Sequence, residues 1–131
     1  MFARSASKAV GVRGEELAER FLRRERGHRI LARNWRSPRD QRDEIDLIAL
    51  DDEVLVFVEV KTRQEKALVP AYYSVNERKK RALRRAIGAY LARLRPKPHT
   101  FRFDVVEVAL TAGEPIIRHF ENIPLFSKHY R

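Results

Sequence analysis

Three charged residues in two otherwise apolar segments have the types and the spacing that phosphodiester chemistry uses. Glu59 and Lys61 lie at the end of the segment VLVFVEVK, residues 54–61. Alternate residues of a strand share a face, so the two side chains are expected on one side of a sheet, with their α-carbons about 6.6 Å apart. Asp46 interrupts the segment EIDLI in the same way. Because burying such groups without partners is costly, their presence indicates a site.

The two segments are spaced as the arms of a β-hairpin. Residues 51–53, Asp-Asp-Glu, predict a tight turn between them. A hairpin with this turn pairs Asp46 opposite Glu59, although a shift of one residue would break the pairing. Two neighbouring carboxylates need a cation, or one of them must hold a proton. Oxygen ligands suit a hard cation such as Mg²⁺, and the chain has no cysteine that would offer a thiolate instead.

A cation held by Asp46 and Glu59, with Lys61 beside it, has the parts needed to hydrolyse a phosphodiester. Bound Mg²⁺ polarises the phosphate and lowers the pKa of a water molecule. The lysine would orient or deprotonate that water, or stabilise the developing charge. Glu15 is a candidate for a third carboxylate. The alternative interpretation is a surface pair of Glu59 and Lys61 at a sheet edge, since E-x-K is a common tripeptide.

Two amphipathic helices are expected to flank the strands. Residues 14–27 predict the first, with apolar residues at helical spacing, Glu15 in its first turn and Gly27 at its end. The second is predicted to begin at Ser74, which has the spacing of a capping box with Glu77. The apolar stripe of this second helix consists of Leu83, Ala86, Ile87, Tyr90, Leu91 and Leu94.

Strand patterns fill most of the remaining sequence. They occupy residues 28–35, 44–51, 54–63, 100–110 and 116–123, and the polar, proline-containing residues 36–43 predict a loop. This order of elements predicts an α/β fold with a mixed β-sheet of four to five strands flanked by helices. The length suits one domain over residues 1–131, with a core of about 10–123 and a basic N-terminal arm at 1–12.

The charge of the chain predicts a polyanionic partner. Lys and Arg number 28 against 18 Asp and Glu, a net charge of +10, which favours nucleic acid as the partner. The candidate contact residues are Arg33, Arg36, Arg39, Arg42, Arg63, Arg78, Lys79, Lys80 and Arg81. Lys79 is expected to face the cleft of the site. The alternatives are a solvated helix face and a charge that serves only solubility. Trp35 would either stack on an unpaired base or anchor the core.

Other features exclude classes of site and of protein. The four histidines have no metal-ligand spacing, and Asp104 is expected to pair with Arg102 or Arg118 rather than to take part in catalysis. No run of about 18 apolar residues exists, so no membrane span is expected. The N-terminus lacks the apolar core of a secretory signal, so we expect a cytoplasmic protein.

Several of these segments, in this order, resemble one known family. They are GVRGEELAERFL (11–22), ILARNWR (30–36), EIDLIALD (44–51), VFVEVKTR (56–63), VNERKKRALRRAIGAYL (75–91) and RFDVVEV (102–108). The resemblance is to the YraN-like family of uncharacterised, predicted endonucleases. More broadly, the chain is similar to the restriction-endonuclease-like PD-(D/E)XK nucleases, which include archaeal Holliday junction resolvases.

The resemblance implies a restriction-endonuclease-like fold, Mg²⁺ or Mn²⁺ as the cofactor, and a D…E-x-K signature made by Asp46, Glu59 and Lys61. It matches Glu15 to the glutamate of the family's G-E motif. The chain departs from the usual pattern at Asp43, where the family has glycine, and at Ile45, where the superfamily has proline. The expected function is a metal-dependent nuclease acting on branched or flapped DNA, and a resolvase-like role would require a homodimer. The alternatives are a non-catalytic nucleic-acid-binding or repair-accessory module and a purely structural protein.

Overall fold

The computed structural model of the protein describes residues 2–64 and 76–126, with side chains from residue 8 onward. These residues form two helices and five strands. In chain order they are α1 (Phe2–Arg24), β1 (Arg29–Ser37), β2 (Asp40–Asp51), β3 (Val54–Gln64), α2 (Glu77–Ala92), β4 (Thr100–Leu110) and β5 (Ile116–Phe120). No helix among the described residues combines the length and the apolar character needed to cross a membrane.

The five strands form a single mixed sheet in the order β1-β2-β3-β4-β5. β3 and β4 are parallel, and the other three neighbouring pairs are antiparallel. α2 lies in the crossover between the two parallel strands, as such a connection requires. The predicted α/β fold, a mixed sheet flanked by two helices, is therefore confirmed.

Strand alternation divides the core into two layers. Leu55 and Phe57 of β3 are buried against α2, whereas Val56 and Val58 are buried against α1. Each such side chain contributes about 1.5–3 kcal/mol when it is fully withdrawn from water. The helices contribute the residues that the sequence predicted for them: Leu17, Ala18 and Leu22 from α1, and Leu83, Ala86 and Ile87 from α2. Glu59, which follows Phe57 on the same face, is therefore placed on the α2 side of the sheet.

The first helix is longer than predicted. α1 begins at Phe2 rather than at residue 14, so Glu15 and Glu16 lie in its interior and not in its first turn. The prediction that places Glu15 in the first turn, at the positive end of the helix dipole, is therefore wrong. At the other end, the helix stops at Arg24, and Gly27 takes a left-handed φ of 69°. Such a φ is accessible to glycine at little cost.

Three other boundaries differ from the prediction. α2 begins at Glu77, and Asn76 caps it by accepting a hydrogen bond from the Lys79 N–H at 2.9 Å; Ser74 lies outside the described residues. The predicted loop 36–43 is wrong, because β1 and β2 continue as a two-stranded ribbon. Residues 36–43 have the polar composition typical of a loop because this part of the ribbon covers little of the hydrophobic core. β5 stops at Phe120, where its pairing with β4 ends.

Candidate active site

The site lies where β2 and β3 separate. The two strands pair from Asp51↔Val54 to Leu47↔Val58, which is the predicted register and places Asp46 and Glu59 next in line. Past that point β2 pairs with β1 alone, and β3 continues beside β4. The Asp46 carboxylate accepts a hydrogen bond from the Val60 N–H at 2.8 Å. A side chain thus takes the place of the next ladder bond and holds the strands at the fork.

The backbone is irregular on both strands at this level. Ile45 and Ile48 both pack on the α2 side although they are three residues apart, so one residue of β2 falls out of alternation. Ala32 and Trp35 of β1 behave in the same way, and Asn34 between them has a left-handed φ of 50°. By the register of β1 and β2, Asn34 lies opposite Asp46. The two irregularities coincide and turn polar side chains toward the fork.

Three carboxylates meet there. One oxygen each of Glu15, Glu44 and Asp46 lies within 4.8 Å of the other two. Asn34 donates to Glu15 at 2.8 Å and to Glu44 at 2.9 Å, so a single amide orients both. We call Glu15, Glu44, Asp46 and Glu59 the acidic fork. The sequence did not predict Glu44 or Asn34 as site residues. The only signal was that Glu44 stands two residues before Asp46.

The position of Glu15 depends on close packing of α1. A Cβ built on Gly14 would lie 1.8 Å from Oγ1 of Thr62 on β3, a distance that no side chain tolerates. Gly14 therefore allows the helix to approach the sheet closely at this level. The next residue, Glu15, is consequently brought to the fork from the α1 side.

Glu59 reaches the fork from the α2 side and is flanked by two ammonium groups. Its side chain is only 3% exposed. The Lys61 Nζ lies 3.6 Å and the Lys79 Nζ 3.3 Å from the same oxygen, Oε2. Lys61 comes from β3 itself, whereas Lys79 comes from the first turn of α2. Of the residues predicted for the site, Asp46, Glu59, Lys61, Lys79 and Glu15 are therefore brought together.

The electrostatics of the fork leave Asp46 short of positive charge. Burial, followed by the neighbouring negative charge of Glu59, raises the pKa of Asp46 to about 9. The pair of Asp46 and Glu59 therefore favours a state in which the two side chains share one proton through a hydrogen bond. Ionising both groups together requires a further cation.

A match to a known family covers this whole arrangement. The family model described as "Uncharacterised protein family UPF0102" matches residues 14–108, a range that contains the acidic fork and both lysines. This chain belongs to the UPF0102 family. The resemblance to the YraN-like family is thereby confirmed.

Similar UPF0102 proteins come from several bacteria. The one from Symbiobacterium thermophilum is 49% identical over 102 residues, which cover 78% of this chain and 83% of that protein. The one from Chlorobaculum tepidum is 42% identical over 118 residues, 89% and 88% of the two chains. The one from Nocardia farcinica is 41% identical over 117 residues, 88% and 89%. The shared name states no activity.

Asp43, where the usual family pattern has glycine, forms an ion pair with α2. Asp43 is buried and accepts two hydrogen bonds from the Arg85 guanidinium of α2, at 2.9 and 3.1 Å. This ion pair neutralises the additional negative charge. It also links α2 to the part of β2 that does not pair with β3. The acidic fork therefore gains no uncompensated charge from Asp43.

The predicted phosphate-binding cations fall into two groups. The arginines at 33, 36, 42 and 63 form ion pairs with Glu19, Glu44, Asp40 and Glu107. Arg39, Arg78 and Arg81 are exposed at the ribbon turn and on the first turns of α2, and Lys80 is half-buried. Trp35 is half-buried in an edge-to-face contact with Tyr90, with ring centroids 5.2 Å apart. The core-anchor alternative describes Trp35 better than base stacking does.

A second buried charged group lies on the α1 side, toward the end of that helix. Asp104 is wholly buried and is hydrogen-bonded to the Arg102 Nε and the Asn122 N–H, both at 2.9 Å, and to the His119 Nε2 at 2.8 Å. Arg102 also donates to Asp51 at 3.0 Å. We call Asp51, Arg102, Asp104 and His119 the Arg102 cluster. The predicted pairing of Asp104 with Arg102 is confirmed, whereas no role was predicted for His119.

Proposed function

We propose that this protein is a metal-dependent nuclease that hydrolyses phosphodiester bonds in DNA, with Asp46 and Glu59 as ligands of Mg²⁺ or Mn²⁺. The observation that carries the proposal is the convergence of the buried Glu59 carboxylate, the half-buried Asp46 carboxylate and the Lys61 ammonium at the strand fork. A surface pair at a sheet edge, the alternative interpretation of Glu59 and Lys61, does not fit a glutamate that is 3% exposed in a central strand.

The chemistry of the donors fits a hard divalent cation. The acidic fork offers carboxylate oxygens, which Mg²⁺ and Mn²⁺ prefer, and Glu15 and Glu44 have oxygens within 4.8 Å of one on Asp46. Burial and the neighbouring charge of Glu59 raise the pKa of Asp46, so the ionised form of Asp46 needs a compensating positive charge. A divalent ion supplies that charge and allows both Asp46 and Glu59 to be ionised.

When bound, such an ion polarises a phosphate oxygen and makes a water molecule more acidic. The residues of this chain fix the rest of the geometry. Asn34 orients Glu15 and Glu44 through two hydrogen bonds. Lys61 sits 3.6 Å from Glu59, where its ammonium orients the attacking water or stabilises negative charge on the phosphate. The rigid sheet holds these groups in place before substrate arrives.

The surroundings of the fork suit a nucleic acid backbone. Arg39 is exposed at the turn of the β1–β2 ribbon, and Arg78 and Arg81 are exposed near the start of α2. Arg78 directly precedes Lys79 in α2, and the chain carries a net charge of +10, which attracts polyanions over long distances. Branched or flapped DNA is the proposed substrate. Two coordinated cuts would require two copies of the site in a homodimer.

The test is cleavage of branched, flapped and duplex DNA by purified protein in Mg²⁺ or Mn²⁺. We expect cleavage that depends on the cation and falls by at least about a hundredfold in Glu59→Gln and Lys61→Ala, as loss of a metal ligand or a charge-stabilising group does. Glu53→Gln is the matched control, because this exposed glutamate lies at the turn of the same hairpin, away from the fork.

Undiminished cleavage by Glu59→Gln would overturn the assignment of the site. Salt-dependent DNA binding without cleavage, together with no Mn²⁺ binding by calorimetry, would instead favour the non-catalytic module. Loss of Mn²⁺ binding in Asp46→Ala, with the fold retained by circular dichroism, would support the metal site directly.

A further inference from the structure

Lys79 is placed in the fork by an element that the D…E-x-K signature does not include. Its Nζ lies 3.3 Å from Glu59 Oε2, slightly closer than the Lys61 Nζ at 3.6 Å. The Glu59 side chain is 3% exposed and the Lys79 side chain 38% exposed. The ammonium of Lys79 therefore stands between the buried carboxylate and the solvent from which a substrate arrives.

The backbone of Lys79 is fixed, but its side chain can move. Its N–H donates to the Asn76 Oδ1 at 2.9 Å in the helix cap. One turn further on, Leu83 is buried in the core. A lysine carries its charge on a flexible four-carbon stem. The ammonium can therefore leave Glu59 for a group in front of the fork without any shift of α2.

The balance of charge at the fork changes when a cation binds. With no cation at the fork, Glu59 Oε2 lies between two ammonium groups, Lys61 at 3.6 Å and Lys79 at 3.3 Å. Once Asp46 and Glu59 both serve a divalent cation, the two lysines become surplus positive charge at close range, where like charges repel. The more exposed of the two, Lys79, gains most by pairing with an anion from solvent.

We propose that Lys79 couples cation binding to phosphate binding: it neutralises Glu59 while the metal site is empty and binds a DNA phosphate once Glu59 serves the cation. This proposal rests on the proposed metal site and adds a regulation to it. Because such coupling is reciprocal, DNA should also raise the affinity of the site for the cation. Lys79 is thus a positioning residue whose partner depends on the state of the site.

The first experiment is calorimetric titration of the protein with Mn²⁺ in the absence of DNA. Lys79→Met keeps the aliphatic stem and removes the charge, so the cation no longer competes with an ammonium for Glu59. We expect Mn²⁺ to bind the variant several-fold more tightly than the wild type. Lys97→Met, a change at an exposed lysine beyond the end of α2, should leave the affinity unchanged. Equal or weaker binding by Lys79→Met would overturn the proposal.

The second experiment is the salt dependence of DNA binding, measured by fluorescence anisotropy in Ca²⁺ and in EDTA. In Ca²⁺, Lys79→Met should reduce the slope of log K against log salt by about 0.9, the value of one phosphate contact. In EDTA the slope should not change, because Lys79 is then held by Glu59. Lys80→Met removes the neighbouring charge and should change the slope by the same amount in Ca²⁺ and in EDTA. An equal effect of Lys79→Met in both buffers would identify an ordinary surface contact and overturn the coupling.

Both experiments measure binding, so they separate this proposal from the nuclease. Wild-type protein that binds Mn²⁺ and DNA without cleaving would overturn the nuclease and leave the coupling to be judged by the variants. Cleavage that depends on Glu59, with Lys79→Met identical to wild type in both titrations, would overturn the coupling alone.

Discussion

The acidic fork and the Arg102 cluster both contain buried carboxylates on the same small sheet. The pKa of an aspartate is raised in the fork and lowered in the cluster. Burial alone would raise the pKa of Asp104, but hydrogen bonds from His119, Arg102 and the Asn122 N–H lower it below its ordinary value. Burial raises the pKa of Asp46 as well, and there the neighbouring charge of Glu59 raises it further. Asp104 is the more deeply buried of the two, so the opposite shifts of the pKa come from the partners of each carboxyl group.

This contrast separates a structural use of buried charge from a functional one. In the Arg102 cluster a guanidinium, an imidazole and a backbone N–H satisfy Asp104, and the same guanidinium also holds Asp51. The fork brings its carboxylates together with less positive charge than they need. A protein tolerates such an arrangement where the missing charge arrives with a ligand.

The largest effect is expected from Arg102→Ala. This change leaves Asp104 buried without its main partner and removes a partner of Asp51, so the free energy of unfolding should fall by about 3–5 kcal/mol, as is typical when a buried ion pair loses one member. Urea unfolding measures it, with and without Mn²⁺. Arg118→Ala is the control, since this exposed arginine of β5 should change stability by less than about 0.5 kcal/mol.

Asp46→Asn should stabilise the metal-free protein, with an effect that depends on pH. The pKa of Asp46 rises from about 4 in the unfolded chain to about 9 in the folded protein. The folded state therefore binds the additional proton between these values, and the stability of the wild type decreases as pH rises through that window. The neutral asparagine removes this loss of stability. Its side-chain oxygen can still accept a hydrogen bond from the Val60 N–H.

We expect Asp46→Asn to be more stable than the wild type by about 3 kcal/mol at pH 6 in EDTA, about two units above the pKa of the unfolded chain, with little difference at pH 4, one pKa unit being about 1.4 kcal/mol. In Mn²⁺ the order should reverse, because the variant has lost a ligand. A variant less stable than the wild type at pH 6 in EDTA would mean that Asp46 is as well satisfied as Asp104.

Gly14→Ala should distort the acidic fork while leaving all of its charged residues in the chain. The new methyl group would meet the Thr62 side chain, and such overpacking costs about 1–3 kcal/mol. By pushing α1 from β3 it should also displace Glu15 and weaken Mn²⁺ binding. The double variant Gly14→Ala/Thr62→Gly should recover much of the Mn²⁺ affinity. No recovery would show that the helix is positioned by other contacts.

The smallest effect is expected from Asp43→Asn. This change weakens the bond to Arg85, whose side chain is half exposed, so the cost should be about 1 kcal/mol. Mn²⁺ affinity should change by less than about twofold, since Arg85 already neutralises Asp43. A larger change would mean that Asp43 acts electrostatically on the fork.

The sequence predicted what depends on local periodicity. The alternation of β3 assigned Val56 and Val58 to one layer and Phe57 and Glu59 to the other, and the 51–53 turn set the register with β2. These features follow from side-chain direction and turn chemistry within one hairpin.

The features that the sequence missed depend on contacts between distant segments. Asn34 joins Glu15 to Glu44 only because β1 has a left-handed residue at that point, and no local pattern predicts it. His119 has a role only because β5 returns beside Asp104. The true start of α1 was missed because residues 2–13 carry little of the apolar periodicity from which helices are predicted.

The hydrogen bond from the Val60 N–H to the Asp46 carboxylate has a practical consequence. An amide proton held by a titrating carboxylate changes its chemical shift and its exchange rate with solvent whenever that group gains a proton or binds a metal. The backbone resonance of Val60 is therefore a built-in spectroscopic reporter at the centre of the sheet. It would report the charge state of the acidic fork without any chemical change to the residues of the site.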